Sequence, residues 1–182
     1  MVHCESEHQA REVWAALAKR MDSVGLRLHP DKTKIVYCKD AKRRGSFEQV
    51  SFTFLGYMFR PRKARQKDGR FYVGFLPGVS PAALKAMGQQ VRNWRIHHRV
   101  GLDLRQLAEW INPIVSGWMT YYGRFYRSTL HPFLHRINTY LMRWAQKKYR
   151  RLRSFKRFQA WWSGLIDRES GLFVHWAWMR AF

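Results

Sequence analysis

Two histidines, His131 and His135, stand four residues apart, a spacing that brings both imidazoles to one helix face and could ligate zinc. No Glu and no third ligand follows them, and His131 precedes Pro132 where a helix N-cap belongs, so the pair reads as structural. Two-metal phosphoryl transfer needs two or three carboxylates converging on the cations. The twelve acidic residues here are scattered instead. Glu5 and Glu7 flank the start of a surface helix, where negative charge complements the macrodipole, and Asp167 and Glu169 suit a helix junction. Cys4 and Cys38 lie far apart with no C-x-x-C pair, which leaves them as buried thiols rather than zinc ligands or nucleophiles. The expectation is therefore no catalytic residue and no metal site in this chain.

The basic residues carry the signal. Thirty-four Lys and Arg against twelve acids give a formal net charge of +22, which implies a polyanionic partner, nucleic acid before an anionic membrane. No apolar run approaches the roughly 18–20 residues needed to span a bilayer, and the first residues lack the order of a signal peptide. A cytoplasmic, nucleic-acid-associated protein without membrane attachment is expected. The charge is uneven: residues 1–60 carry +4 and residues 61–182 carry +18. From Arg143 to Arg157 there are eight basic side chains, among them Lys147, Lys148, Arg150 and Arg151, and no acid, so their repulsion is uncompensated until phosphates arrive. Arg92, Arg95 and Arg99 fall at three- and four-residue steps, a helix face able to track a phosphate backbone, and Arg124 and Arg127 extend the cationic set. Trp94, Tyr126 and Tyr149 interleave with them and could stack on unpaired bases.

The elements that must position these residues are of two kinds, predicting an α+β chain. Ser6 and Gln9 form a capping box before Val13, Trp14, Leu17, Met21 and Val24, and Gly25 ends that amphipathic helix. Leu26 and Leu28, then Lys34-Ile35-Val36-Tyr37-Cys38, then residues 50–59 read as strands packed under it, and Asp68-Gly69 as a hairpin turn before Phe71. From Ser80 the pattern becomes helical. Ser80 with Pro81, Asp103 with Gln106, and His131 with Pro132 announce helix starts. Leu104, Leu107, Ile111, Val115, Trp118, Tyr122 and Phe125 make one seam, with Pro113 a candidate kink and Gly117 a candidate close approach. Leu134, Ile137, Leu141 and Trp144 make the facing seam, and Phe158, Trp161, Trp162, Leu165, Phe173 and Trp176 suggest two shorter covering helices.

Leu26-Arg27-Leu28-His29-Pro30-Asp31-Lys32-Thr33-Lys34, followed by Phe54-Leu55-Gly56-Tyr57-Met58-Phe59, resembles the last two conserved blocks of group II intron reverse transcriptases. Ile111-Asn112-Pro113-Ile114-Val115-Ser116-Gly117-Trp118, with Tyr121-Tyr122-Gly123-Arg124-Phe125 behind it, resembles the signature of that family's maturase-specific domain, domain X. The resemblance implies a palm remnant over residues 1–60, a β-hairpin connector over 61–78, a thumb/maturase helical bundle over 79–154 and a helical cap over 155–182. It also implies that Phe54, Leu55, Gly56 and Tyr57 form the primer grip and that Lys32 and Lys34 lie beside the incoming nucleotide. The implied partner is group II intron RNA, which the domain would hold in its splicing-competent fold. DNA target, primer-template and an amino-terminal reverse transcriptase half are further partners it admits. The family's Tyr-Ala-Asp-Asp block should precede Val2, where this chain begins, so Mg is expected only in that missing palm site and in the RNA. The expected function is an RNA-binding splicing module; the alternatives are half of a split RNA-directed DNA polymerase and a decayed fragment.

Overall fold

The computed structural model describes residues 1–43 and 45–179. It is an α+β chain as expected, a helix and a three-stranded antiparallel sheet followed by helices. Two compact units are distinguished, residues 1–52 with 60–75 and residues 53–59 with those from 76 onward.

In the first unit, α1 (Glu7–Asp22) begins where Ser6 Oγ accepts from Gln9 N–H at 3.2 Å and Gln9 Oε1 accepts from Glu5 N–H at 2.8 Å. No residue of α1 is buried, however, and the strands expected beneath it at Leu26–Leu28 and at Lys34 through Cys38 do not form. A strand exists only as one rail of a ladder. Residues 34–40 have β-forming side chains but only isolated bonds, such as Tyr37 N–H to Gln49 O at 2.8 Å. Both cysteines are half-buried free thiols rather than fully buried ones, and burial pushes the Cys38 thiol up.

The sheet runs β1 (Phe52–Phe54), β2 (Tyr57–Arg65) and β3 (Phe71–Val79) in that spatial order. Asp68-Gly69 turns the second hairpin as predicted, with Gly69 at φ +90° and Gln66 N–H bonded to Arg70 O at 2.8 Å. The first hairpin closes through Leu55 and Gly56 alone, at φ +47° and +78°. Positive φ at both residues is the type I′ pattern, whose twist matches that of the flanking strands; glycine accepts the conformation and leucine resists it.

The second unit contains α2 (Pro81–Asn93), α3 (Leu104–Tyr122), α4 (His131–Lys148) and α5 (Phe155–Arg168). Ser80 caps α2 with Pro81 behind it, and Asp103 with Gln106 completes a capping box on α3. His131 is not a cap but the first residue of α4, since the chain arrives through a tight 3-10 turn, Arg127–Leu130. Leu107, Ile111 and Val115 of α3 and Leu134, Ile137, Leu141 and Trp144 of α4 bury completely in one core with Phe158, Phe173 and Trp176. Trp118 is only half-buried, stacked at 5.7 Å on Trp94, and Phe125 lies exposed beyond the helix end. α3 continues through Pro113, and Gly117 faces open space; the close approach is at Gly123, under the Trp178 ring. One α-helix and a 3-10 turn (Val174–Ala177) stand where two covering helices were expected.

A polar knot ties that last turn to α4. Asn138, on the buried seam, accepts at Oδ1 from His175 Nε2–H at 2.7 Å and from Trp176 Nε1–H at 3.2 Å. Asn112 reaches the same segment, donating to Leu172 O at 2.9 Å and accepting from Val174 N–H at 3.1 Å. Burial holds the His175 imidazole down at about 3 from an ordinary 6.5, so it is neutral in the folded protein at any working pH. The unfolded chain therefore binds the extra proton between those two values, and stability is lost as pH falls from about 6.5 towards 3, by up to about 1.4 kcal/mol per pH unit. Urea midpoints should accordingly drop between pH 7 and pH 5, and His175→Gln should remove most of that drop; an undiminished drop in the variant would show that other groups cause it.

Candidate nucleic-acid interface

Arg92 on α2 and Arg136 and Arg143 on α4 open onto one cleft of about 440 Å³, lined also by Gly88, Pro132, His135, Thr139 and Tyr140. No carboxylate is among the lining residues, and neither these arginines nor Lys147 has an acidic partner among the described residues. The cationic face continues from the cleft along α4. His97, in the 3-10 turn Ile96–His98, stacks near Tyr140 at 6.3 Å. Burial first, then the positive charges of His98, Lys147, Arg143 and Arg95, push its imidazole below the usual histidine range, so those cations share its neighbourhood.

The arginines read as one helix face are not one. α2 stops at Asn93 and Arg95 turns left-handed at φ +49°, which sends Arg92, Arg95 and Arg99 in different directions. Arg99 is exposed but tied down: its Nε donates to Trp94 O at 2.9 Å and its guanidinium lies 4.5 Å over the Trp110 ring. Its own carbonyl receives Trp144 Nε1–H at 3.0 Å. Lys148 is also a strut, its ammonium donating to Leu102 O at 2.6 Å over the Trp144 and Tyr149 rings. Arg127 lies 4.5 Å over Trp178, while Arg124 is exposed just past α3. Arg150 and Arg151 are exposed on a 3-10 turn between α4 and α5, so the basic run from Arg143 to Arg157 is broken over three elements. The missed cleft residue is Arg136. Its signal was present in the seven-residue step to Arg143 on a helix whose other face is apolar.

A second constellation surrounds the Leu55-Gly56 loop. Tyr121 Oη donates to Leu55 O at 2.8 Å, Ser80 N–H donates to Gly56 O at 2.8 Å, and Tyr57 Oη donates to Tyr121 O. A Cβ on residue 56 would meet Tyr122 Oη at 2.7 Å, so the glycine is required by contact as well as by φ. Burial, then the neighbouring tyrosines, raises the Tyr57 hydroxyl, and burial raises that of Tyr122, keeping both protonated. The strained Leu55 side chain, 67% exposed, and Phe54, 52% exposed, project from this braced turn. Lys32 and Lys34 belong to the other unit and are exposed near the His29–Thr33 turn.

No group of three His, Cys, Asp or Glu residues suited to a metal occurs among the described residues, and no described helix is long and apolar enough to cross a membrane. Residues 84–162 match the model of the group II intron, maturase-specific domain. No curated protein and no solved structure matches the chain significantly. The matched span runs from α2 into α5 and contains every arginine of the cleft.

Like charges gathered without counterions repel, and salt screens them. The melting temperature should thus rise when KCl is raised from roughly 10 to 150 mM, because the Debye length shrinks from about 30 to 8 Å. Replacing Arg92, Arg136 and Arg143 together by Gln should raise low-salt stability by about 1 kcal/mol and flatten that rise. A triple variant less stable than wild type would show the guanidinium groups to be structural.

Proposed function

We propose that this chain has a maturase-type part in group II intron splicing, supported by the family match over residues 84–162, and that its second unit acts by binding the intron RNA along the cationic face centred on the α2–α4 cleft. The observation that carries this is the set of exposed, acid-free cations Arg92, Arg136, Arg143 and Lys147, held on helices whose opposite faces are locked in the core. Phosphates supply the missing counter-charge, and the guanidinium forks bind them in pairs of oxygens. A rigid surface that fits the folded RNA better than its unfolded ensemble shifts the RNA's population by that difference in affinity. The transesterifications remain the RNA's own. No protein nucleophile is required, and Arg95, Arg124, Arg150 and Arg151 are outlying contacts on the same reading.

Binding of the full chain to a transcribed group II intron RNA should weaken steeply from roughly 50 to 200 mM KCl, with log K falling linearly in log salt. Arg92→Gln and Lys147→Gln should each reduce the slope by about 1. A flat salt response in the wild-type chain would overturn the reading.

One observation favours a second role. Leucine held at positive φ costs on the order of 1–3 kcal/mol, and such strain persists where the surrounding structure enforces it for a purpose. Tyr121 and Ser80 enforce it here, presenting Leu55 and Phe54 to solvent. A primer grip at Phe54, Leu55, Gly56 and Tyr57, working with a polymerase half supplied by another chain, accounts for a braced apolar tip. Primer extension by the mixed halves, reduced by Leu55→Gly, is expected; no extension from the mixture would remove this role.

A further inference from the structure

The α2–α4 cleft is more selective than a charged face. Gly88 is buried on its α2 wall, and a Cβ there would stand 2.9 Å from Arg136 Nη1. That guanidinium lies over α2 and lines the same cavity as Arg92. Two planar forks opening into one concavity suit a single phosphodiester, whose oxygens each accept from an N–H. Further along α4, the Arg143 guanidinium lies 5.8 Å over the Tyr140 ring, and the His97 ring is near-parallel to Tyr140, 24° between planes and 6.3 Å between centroids. Such a stack of flat groups can be extended by one more, and a nucleobase is the flat group that comes attached to a phosphate.

A regular duplex keeps its bases inside and presents a convex backbone. Its phosphates can reach the cleft's arginines, but it has no base free to lie on Arg143 or Tyr140. An unpaired residue can turn its base inward while its phosphate stays at the mouth. We propose that the cleft is a pocket for one unpaired nucleotide of RNA, its phosphate on Arg92 and Arg136 and its base against Arg143 and Tyr140. This rests on the RNA-binding role above and adds that the strand recognised here has left its helix.

The test compares two probes on the full chain by fluorescence anisotropy: a labelled single-stranded oligouridylate of about eight residues, within the usual span of such sites, and a blunt RNA hairpin stem. Arg136→Ala and Tyr140→Ala should each weaken the single strand about tenfold, as loss of one stacked or clamped nucleotide does, while changing hairpin affinity by less than a factor of about two. Arg136→Lys, which keeps the charge and loses the fork, should fall between wild type and Arg136→Ala. Arg136 is exposed, so its variants fold even if Tyr140→Ala does not, and unchanged melting curves confirm it. Equal losses on both probes, or none on the single strand, would overturn the pocket and leave RNA binding standing. A wild-type chain that binds neither probe would overturn both.

Discussion

Everything in the second unit hangs on α4, which buries one face completely and leaves the other charged. Leu134, Ile137, Leu141 and Trp144 are fully buried, while Arg136, Arg143 and Lys147 stand on its solvent side without acidic partners among the described residues. The magnitudes decide which effect wins. Burying each large apolar side chain contributes roughly 1.5–3 kcal/mol, whereas each exposed like-charge pair on a helix costs only about 0.2–0.5 kcal/mol. The seam therefore outweighs the repulsion several times over, and the helix can present bare positive charge as a fixed surface. A looser core would let those side chains diverge, and the cleft would lose its shape before the chain lost its fold.

Charge counted along the chain overstates what is free to meet a polyanion. Arg99 and Lys148 are engaged by the protein itself, on the carbonyls of Trp94 and Leu102 and on the faces of Trp110, Trp144 and Tyr149. They fasten the irregular segment between α2 and α3 to α4 and thereby hold Arg95 and His97 beside the cleft. Long basic side chains lay their methylenes on apolar surface as readily as they reach for water, and their aromatic neighbours here show which did so.

What could be read in advance followed from local rules. Ser6, Ser80, Asp103 with Gln106, and Asp68-Gly69 act through bonds that span three or four residues, so their roles were visible without any fold. The α4 seam was legible because its period alone identifies a buried face. What failed depended on partners distant in the chain. Residues 34–38 have the composition of a strand but no ladder, and Arg92, Arg95 and Arg99 keep helical spacing across a helix that has already ended. The cleft needed the meeting of α2 and α4, and nothing in one helix announces that Gly88 will lie under a guanidinium of the other. Asn138 was the overlooked clue: a polar side chain in step with Leu134 and Leu141 must find buried bonds, and His175 and Trp176 supply them.

That knot bears on how the chain is made. Phe173, His175 and Trp176 close a core whose other walls precede them in sequence, and Asn112 and Asn138 wait for partners 37 to 62 positions further on. A polypeptide emerging amino-end first must hold an unfinished apolar bundle open until those residues arrive, the stage at which nascent chains most readily aggregate. The same surplus of positive charge that suits RNA keeps such half-built copies apart, so solubility during synthesis comes from the surface that later binds.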